Sequence, residues 1–180
     1  ICTLLDCPLS MKDEADEMKI FVCIKQVPDT ETKIKLKPDG SGVDLAGAKW
    51  VANPYDEFAI EEGIKLRDAN PGSTLNVMTV GPKERAVDAL RTALAMGADE
   101  AFVIHSPESP DAHVTAKALA SAIRAEGGAD LVLTGRLSID SNQSSVGQML
   151  AEYLQIPHVS VVSKLSLVDG KAQVSRDIEG

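Results

Sequence analysis

The stretch from Asp130 to Leu154, DLVLTGRLSIDSNQSSVGQMLAEYL, carries three patterns in succession. Leu131 to Thr134 has the length and unbroken hydrophobicity of a strand covered on both faces. Gly135 follows, then a string of small polar residues. An apolar pattern of helical period closes the stretch. Strand, polar loop and helix in that order make up half of a βαβ unit.

The same signature recurs outward along the chain. Ile20 to Ile24, TLNVMTVG at Thr74 to Gly81 and EAFVIH at Glu100 to His105 are apolar runs of strand length. Helical patterns lie between them: Phe58, Ile60 and Ile64 in the first, Ala86, Val87, Leu90 and Leu94 in the second, Ala116, Leu119, Ala120 and Ile123 in the third. Strand and helix alternate, which predicts an α/β, doubly wound, mainly parallel sheet with right-handed crossovers. Asn53 is placed to cap the first helix, with Pro54 at its first position; ANPG at 69–72 stops it and Gly97 ends the next. Two segments break the rhythm. IKLKPDGSGVDL reads as an inserted hairpin turning at Pro38, Asp39 and Gly40. After Pro157, VSVVSKLSLVDGKAQVSRDI reads as a C-terminal antiparallel hairpin around Asp169 and Gly170.

The 180 residues suit one α/β domain, spanning 18–180 and continuing past its last residue. Residues 1–17 have no apolar period and end in acids, and are expected to be an N-terminal extension, disordered or extraneous to the domain. A net charge of −9 opposes binding of nucleic acid or anionic lipid, and the sequence holds no basic patch. No apolar run approaches the ~20 residues of a membrane span, so a cytoplasmic location is expected. The three cysteines fit neither a disulfide framework nor a zinc site.

In an open parallel sheet, ligands bind beyond the carboxyl ends of the strands. That rule brings three segments to one rim: Cys23, Ile24 and Lys25; Val80, Gly81 and Pro82; and the loop from Gly135 to Val146. The loop offers backbone N–H groups at a helix start, hydroxyls from Ser141, Ser144 and Ser145, and amides from Asn142 and Gln143. Such a loop binds phosphate without needing a cation; the simpler reading is that its serines only cap the helix. Lys25 reads as a solvated strand end, and Gly135 as the point where backbone comes close to a ligand. The histidines at 105, 113 and 158 stand apart. No nucleophile, acid–base pair or metal-spaced set emerges, so no catalytic or metal residue is assigned. Neither G-x-x-x-x-G-K-[ST] nor G-x-G-x-x-G is present.

From about Met18 onward the chain resembles the β subunit of electron-transfer flavoprotein. The resemblance rests on the order of VCIKQVPD, KPDGSGVDL, NPYDEFAIEEGIKL, VGP, RTALAMGAD, DLVLTGRLSID and VGQMLAEYL, with VSRDIEG opening the family's signature segment. It implies an adenine-nucleotide-hydrolase-like three-layer sandwich and an electron-carrier subunit, not an enzyme. The partner would be an α subunit bearing a redox-active FAD, the complex passing electrons from dehydrogenases to a quinone-reducing or other acceptor. It implies AMP as a structural nucleotide here, held by Cys23; by Asn53, Pro54, Tyr55 and Asp56; by Val80; and by Gly135, Arg136, Leu137, Ser138, Ile139, Asp140, Ser141, Asn142, Gln143, Ser144, Ser145 and Val146. The segments that dock dehydrogenases and embrace the α subunit would follow Gly180. In the AMP-type loop Asn-Gln-Thr precedes Gly-Gln-Met, whereas Ser144, Ser145 and Val146 stand there in this chain. Valine is usual in electron-bifurcating relatives, whose β subunit holds a second FAD, but their Asp-Gly-Asp-Thr run is missing. AMP is therefore the expected ligand, with FAD the alternative; a free-standing nucleotide-binding enzyme is the reading from another class.

Overall fold

A computed structural model describes residues 2–5, 17–168 and 171–178. In chain order the elements are β1 (Cys2–Leu5), β2 (Lys19–Cys23), β3 (Gln26–Pro28), β4 (Lys35–Leu36), β5 (Val43–Asp44), β6 (Trp50–Ala52), α1 (Pro54–Ala69), β7 (Thr74–Gly81), α2 (Lys83–Met96), β8 (Glu100–His105), α3 (Ala112–Ala125), β9 (Leu131–Thr134), α4 (Val146–Leu154), β10 (His158–Val159), β11 (Val162–Val168) and β12 (Lys171–Arg176). The main sheet runs β10-β1-β9-β2-β7-β8. β9, β2, β7 and β8 are parallel neighbours, as the alternation of strand and helix predicts.

Side chains of the central strands point alternately to the two faces, and each parity meets its own helical layer. Ile20, Val22, Leu75, Val77, Leu131 and Leu133 pack with Ala59 and Ile60 of α1 and Ala89, Leu90 and Ala93 of α2. Phe21, Cys23, Met78 and Val132 pack on the opposite face with Ala116, Leu119, Ala120 and Ile123 of α3 and Leu150 and Ala151 of α4. The result is a doubly wound three-layer sandwich. Each large apolar side chain removed from water adds roughly 1.5–3 kcal/mol, so the two cores carry the fold.

The expected stripe of α3 is buried as read, while α1 is rotated from its expected face. Its buried residues are Asp56, Ala59, Ile60, Gly63 and Leu66, and Phe58 is 62% exposed. Gly63 explains the seating of the helix: a Cβ there would lie 2.7 Å from a methyl of Leu75, so the backbone approaches the sheet directly. Leu94 of α2 is likewise exposed.

Both departures from the rhythm are hairpins. β4 pairs antiparallel with β5, with Gly40 at positive φ in the turn and Asp39 accepting a hydrogen bond from the Ser41 N–H. β11 pairs antiparallel with β12; the expected turn residues Asp169 and Gly170 lie outside the described residues. A short ribbon of β3 with β6 returns the chain from the insertion to α1.

One expectation needs correction. Residues 1–17 were expected to stand outside the fold, yet Cys2–Leu5 forms β1, antiparallel to both β9 and β10. The reason lies in the backbone: without β1, the outer edge of β9 would present unpaired N–H and C=O groups, which a short extended segment satisfies. Residues 6–16 lie outside the described residues.

Candidate functional site

The rim takes its shape from the first turn of α1. Asn53 stands at the N-cap position, but its side chain makes no cap hydrogen bond. Its Nδ2 donates to the Leu137 carbonyl at 2.9 Å, and its Oδ1 accepts from the Ile139 N–H at 3.1 Å. The expected cap is thus a clasp on the loop after β9, because the loop's main chain offers a carbonyl and an N–H that one side-chain amide satisfies together.

Asp56, one turn on, is 5% exposed. Its Oδ2 accepts from the Lys25 N–H at 2.7 Å and its Oδ1 from the Gly135 N–H at 3.1 Å. The Asn53 N–H in turn donates to the Lys25 carbonyl at 2.9 Å. One carboxylate therefore joins the carboxyl ends of β2 and β9. Burial pushes Asp56 up to about 7, against the pull of the main-chain donors, the Asn53 side chain and the Lys25 charge. Burial first, and then the Asp56 charge, raise the neighbouring Cys23 thiol to about 12, so Cys23 is an uncharged wall residue at neutral pH.

Gly135 has a steric role within the fold as well. A Cβ there would meet Asp56 Oδ1 at 2.0 Å and the Tyr55 carbonyl carbon at 2.9 Å. Its missing side chain makes room for α1.

Beyond Gly135 the loop folds onto the end of β2. Lys25 Nζ donates to Asp140 Oδ1 at 2.7 Å, to Ser138 Oγ at 3.2 Å and to Ser141 Oγ at 3.4 Å, and the two serine hydroxyls are 2.9 Å apart. Lys25 is thus a member of the site instead of a solvated strand end. Burial raises the Asp140 carboxyl, but the Lys25 ammonium and the hydroxyls of Ser138 and Ser141 outweigh it and hold the group below the usual value. Asn142 takes a left-handed φ of 53° and donates its N–H to the Ser138 carbonyl; Ser144 Oγ donates to the Arg136 carbonyl. Ser145 sits at the N-cap of α4 without a side-chain cap bond. The N–H groups of Val146, Gly147 and Gln148 form the first turn of that helix, where no intrahelical acceptor exists.

These elements enclose a cleft of about 350 Å³, within the range of small-ligand sites. Of the residues singled out from sequence, Cys23, Asn53, Asp56, Val80, Gly135, Arg136, Leu137, Ser138, Ser141, Gln143, Ser144, Ser145 and Val146 line it. Pro54, Tyr55, Ile139, Asp140 and Asn142 do not; Tyr55 is on the exposed side of α1. Sequence reading missed the far wall, formed by Ser109, Pro110, Asp111, Ala112, Thr115 and Leu119, and also Gln26, Gly147 and Gln148. A signal for that wall was present: SPESPDAH follows the carboxyl end of β8 and starts α3, where Asp111 accepts from the Val114 N–H. The cations on the wall are Lys25 and Arg136, the acids Asp56 and Asp111. Its side chains include a neutral thiol and several hydroxyls, two of which, on Ser138 and Ser141, are tied to Lys25 and Asp140.

The family model of the electron transfer flavoprotein domain matches residues 42–180. An electron transfer flavoprotein subunit beta from Syntrophomonas wolfei is 40% identical over 163 residues, covering 91% of this chain and 63% of that protein. The mitochondrial subunit beta of Oryza sativa subsp. indica is 41% identical over 167 residues, covering 91% and 65%. The caffeyl-CoA reductase-Etf complex subunit CarD of Acetobacterium woodii is 39% identical over 164 residues, covering 90% and 62%. The chain thus spans less than two thirds of the length of these relatives.

Proposed function

Because the chain belongs to the electron transfer flavoprotein family, among its β subunits, we propose that its cleft holds AMP as a structural nucleotide and that it serves as the base of a complex with an FAD-bearing α subunit. The observation that carries the nucleotide reading is the uncapped N-terminus of α4. Its first-turn residues line the cleft, and Ser145 at the N-cap makes no bond to them. Main-chain donors at a helix start suit a phosphate, because the N–H groups and the helix dipole both favour an anion. Apolar wall residues, Cys23, Val80, Leu119 and Val146, suit the flat faces of a base.

In this reading the chain's residues bind and orient, and the electron chemistry belongs to the flavin of the complex. Electrons pass from dehydrogenases through the α-subunit FAD to a quinone-reducing or other acceptor, in the cytoplasm. Val146 supports a second reading, a bifurcating subunit with a redox-active FAD in this same cleft, since an isopropyl group stands where the AMP-type loop has a hydroxyl.

The nucleotides released by denaturing the full-length αβ complex separate these readings. About one AMP and one FAD per heterodimer is expected. Two FAD and no AMP would replace the structural nucleotide by a second flavin, and no nucleotide beyond the α-subunit FAD would remove the binding role.

A further inference from the structure

The outer part of the main sheet contains a slot one strand wide. β9 and β10 do not pair with each other; each pairs with β1, which runs antiparallel between them. Thr3 stands between Leu133 and Val159, and Leu4 between Val132 and His158. Leu131, Val132 and Leu133 point alternately to the two faces and are at most 1% exposed, so both faces of the sheet are covered at this place. A strand entering the slot must therefore be apolar on both sides and must pair its main chain along both edges. Cys-Thr-Leu-Leu at 2–5 meets both needs. Yet this segment lies outside the family match. The family model takes in β9 and β10 and starts at residue 42, and the resemblance itself starts at about Met18; β1 precedes both. The relatives, in turn, have more than a third of their own length outside the match with this chain.

We propose that the slot between β9 and β10 is a strand-acceptor site. Its occupant in the full-length β subunit is an extended apolar segment from the part of the protein beyond residue 180, and β1 stands in for that segment in this chain. The proposal goes beyond the nucleotide reading and does not depend on it. A protein that keeps β9 and β10 without residues 2–5 has the same gap, with main-chain N–H and C=O groups along both edges, and those groups must find partners. A strand placed between two others bonds on both sides, whereas an edge strand bonds on one, so even a short segment is held there. The two segments make the same kind of ladder and cannot occupy the slot together. Filling it from the N-terminal side and filling it from the later part of the chain are therefore competing states.

Leu4→Pro removes a ladder N–H in the middle of β1 and should empty the slot in the 180-residue chain. Hydrogen exchange of the β9 and β10 amides reads its occupancy, and unchanged exchange in β2 and β7 shows that the variant keeps its fold. The probe is a peptide of residues 1–6, ICTLLD. It should bind the Leu4→Pro chain saturably and restore protection of the His158 and Val159 amides. The unsubstituted chain, whose slot is filled, should bind it at least about tenfold more weakly. A peptide carrying the same Leu4→Pro change should not bind. The full-length β subunit with Leu4→Pro should keep its β10 amides protected and should refuse the peptide. If the folded Leu4→Pro chain does not take up ICTLLD, there is no acceptor site. If the full-length Leu4→Pro protein binds the peptide as tightly as the 180-residue variant does, the later segment does not enter the slot. Either result overturns the proposal.

Discussion

Asp56 holds two strand ends together with one carboxylate, so its protonation state is a property of the whole rim. Its ordinary value of 3.8 is raised by burial to about 7, which means that the folded state prefers the protonated form. The stability this group contributes is full below about pH 4 and is lost as pH rises through 7. In that window the loss approaches ~1.4 kcal/mol per pH unit. Urea midpoints measured from pH 5 to 9 should fall with pH up to about 7 in the wild type and level off above it. Asp56→Asn, which starts from a lower midpoint because one main-chain donor loses its acceptor, should show a flatter slope. An unchanged slope would mean that another group sets the pH dependence. Gly135 gives the steric counterpart. Even Gly135→Ala forces a Cβ against the α1 backbone, and it should cost ~1–3 kcal/mol in urea unfolding, the range for overpacking. A neutral effect would show that α1 can move away from β9.

At the scale of elements, α1 was legible in its boundaries and misread in its face and in its first residue. Pro54 and the Asn-Pro-Gly stop are local signals, whereas the buried stripe depends on Gly63 meeting Leu75 across the layers, which no periodicity within the helix reveals. Asn53 is the sharper case. N-cap chemistry is common and local, but the carbonyl and N–H that capture its side chain belong to residues 84 and 86 positions away. Hydrogen exchange separates the roles. Asn53→Ala should speed exchange of the Ile139 amide and leave the first-turn amides of α1 unaffected; a cap would give the reverse pattern. The parallel core, both hairpins and the polar loop were readable because each is written in consecutive residues. The far wall of the cleft was missed because its loop lacks the concentrated polar chemistry of 138–145, although the same strand-end rule applied to β8 reaches it. β1 was missed because its strand pairing depends on the edge of β9 and not on its own pattern. Removing residues 1–17 should therefore lower the urea midpoint and expose a pairing edge, detectable as self-association in sedimentation. A monomer of unchanged stability would show that β1 adds nothing.

For the whole molecule, a net charge of −9 surrounds a cleft whose wall carries two cations and two acids, so a phosphate proposed there would be held by local main-chain geometry against the overall field. Among the described residues no helix is long and apolar enough to cross a membrane. The three-layer fold places the ends of β2, β7 and β9 and the start of α4 around one opening, the one to which the proposed function assigns a nucleotide. In the proposed function, main-chain donors at the start of α4 take the phosphate. Titration of the isotopically labelled chain with AMP, and separately with adenosine, observes those donors one by one through their amide resonances. AMP should shift the Gly147 and Gln148 amides strongly, and adenosine should move wall residues such as Val80 and Leu119 while leaving those two nearly still. If adenosine and AMP shift the α4 amides equally, or if neither moves them, the phosphate does not sit on that helix.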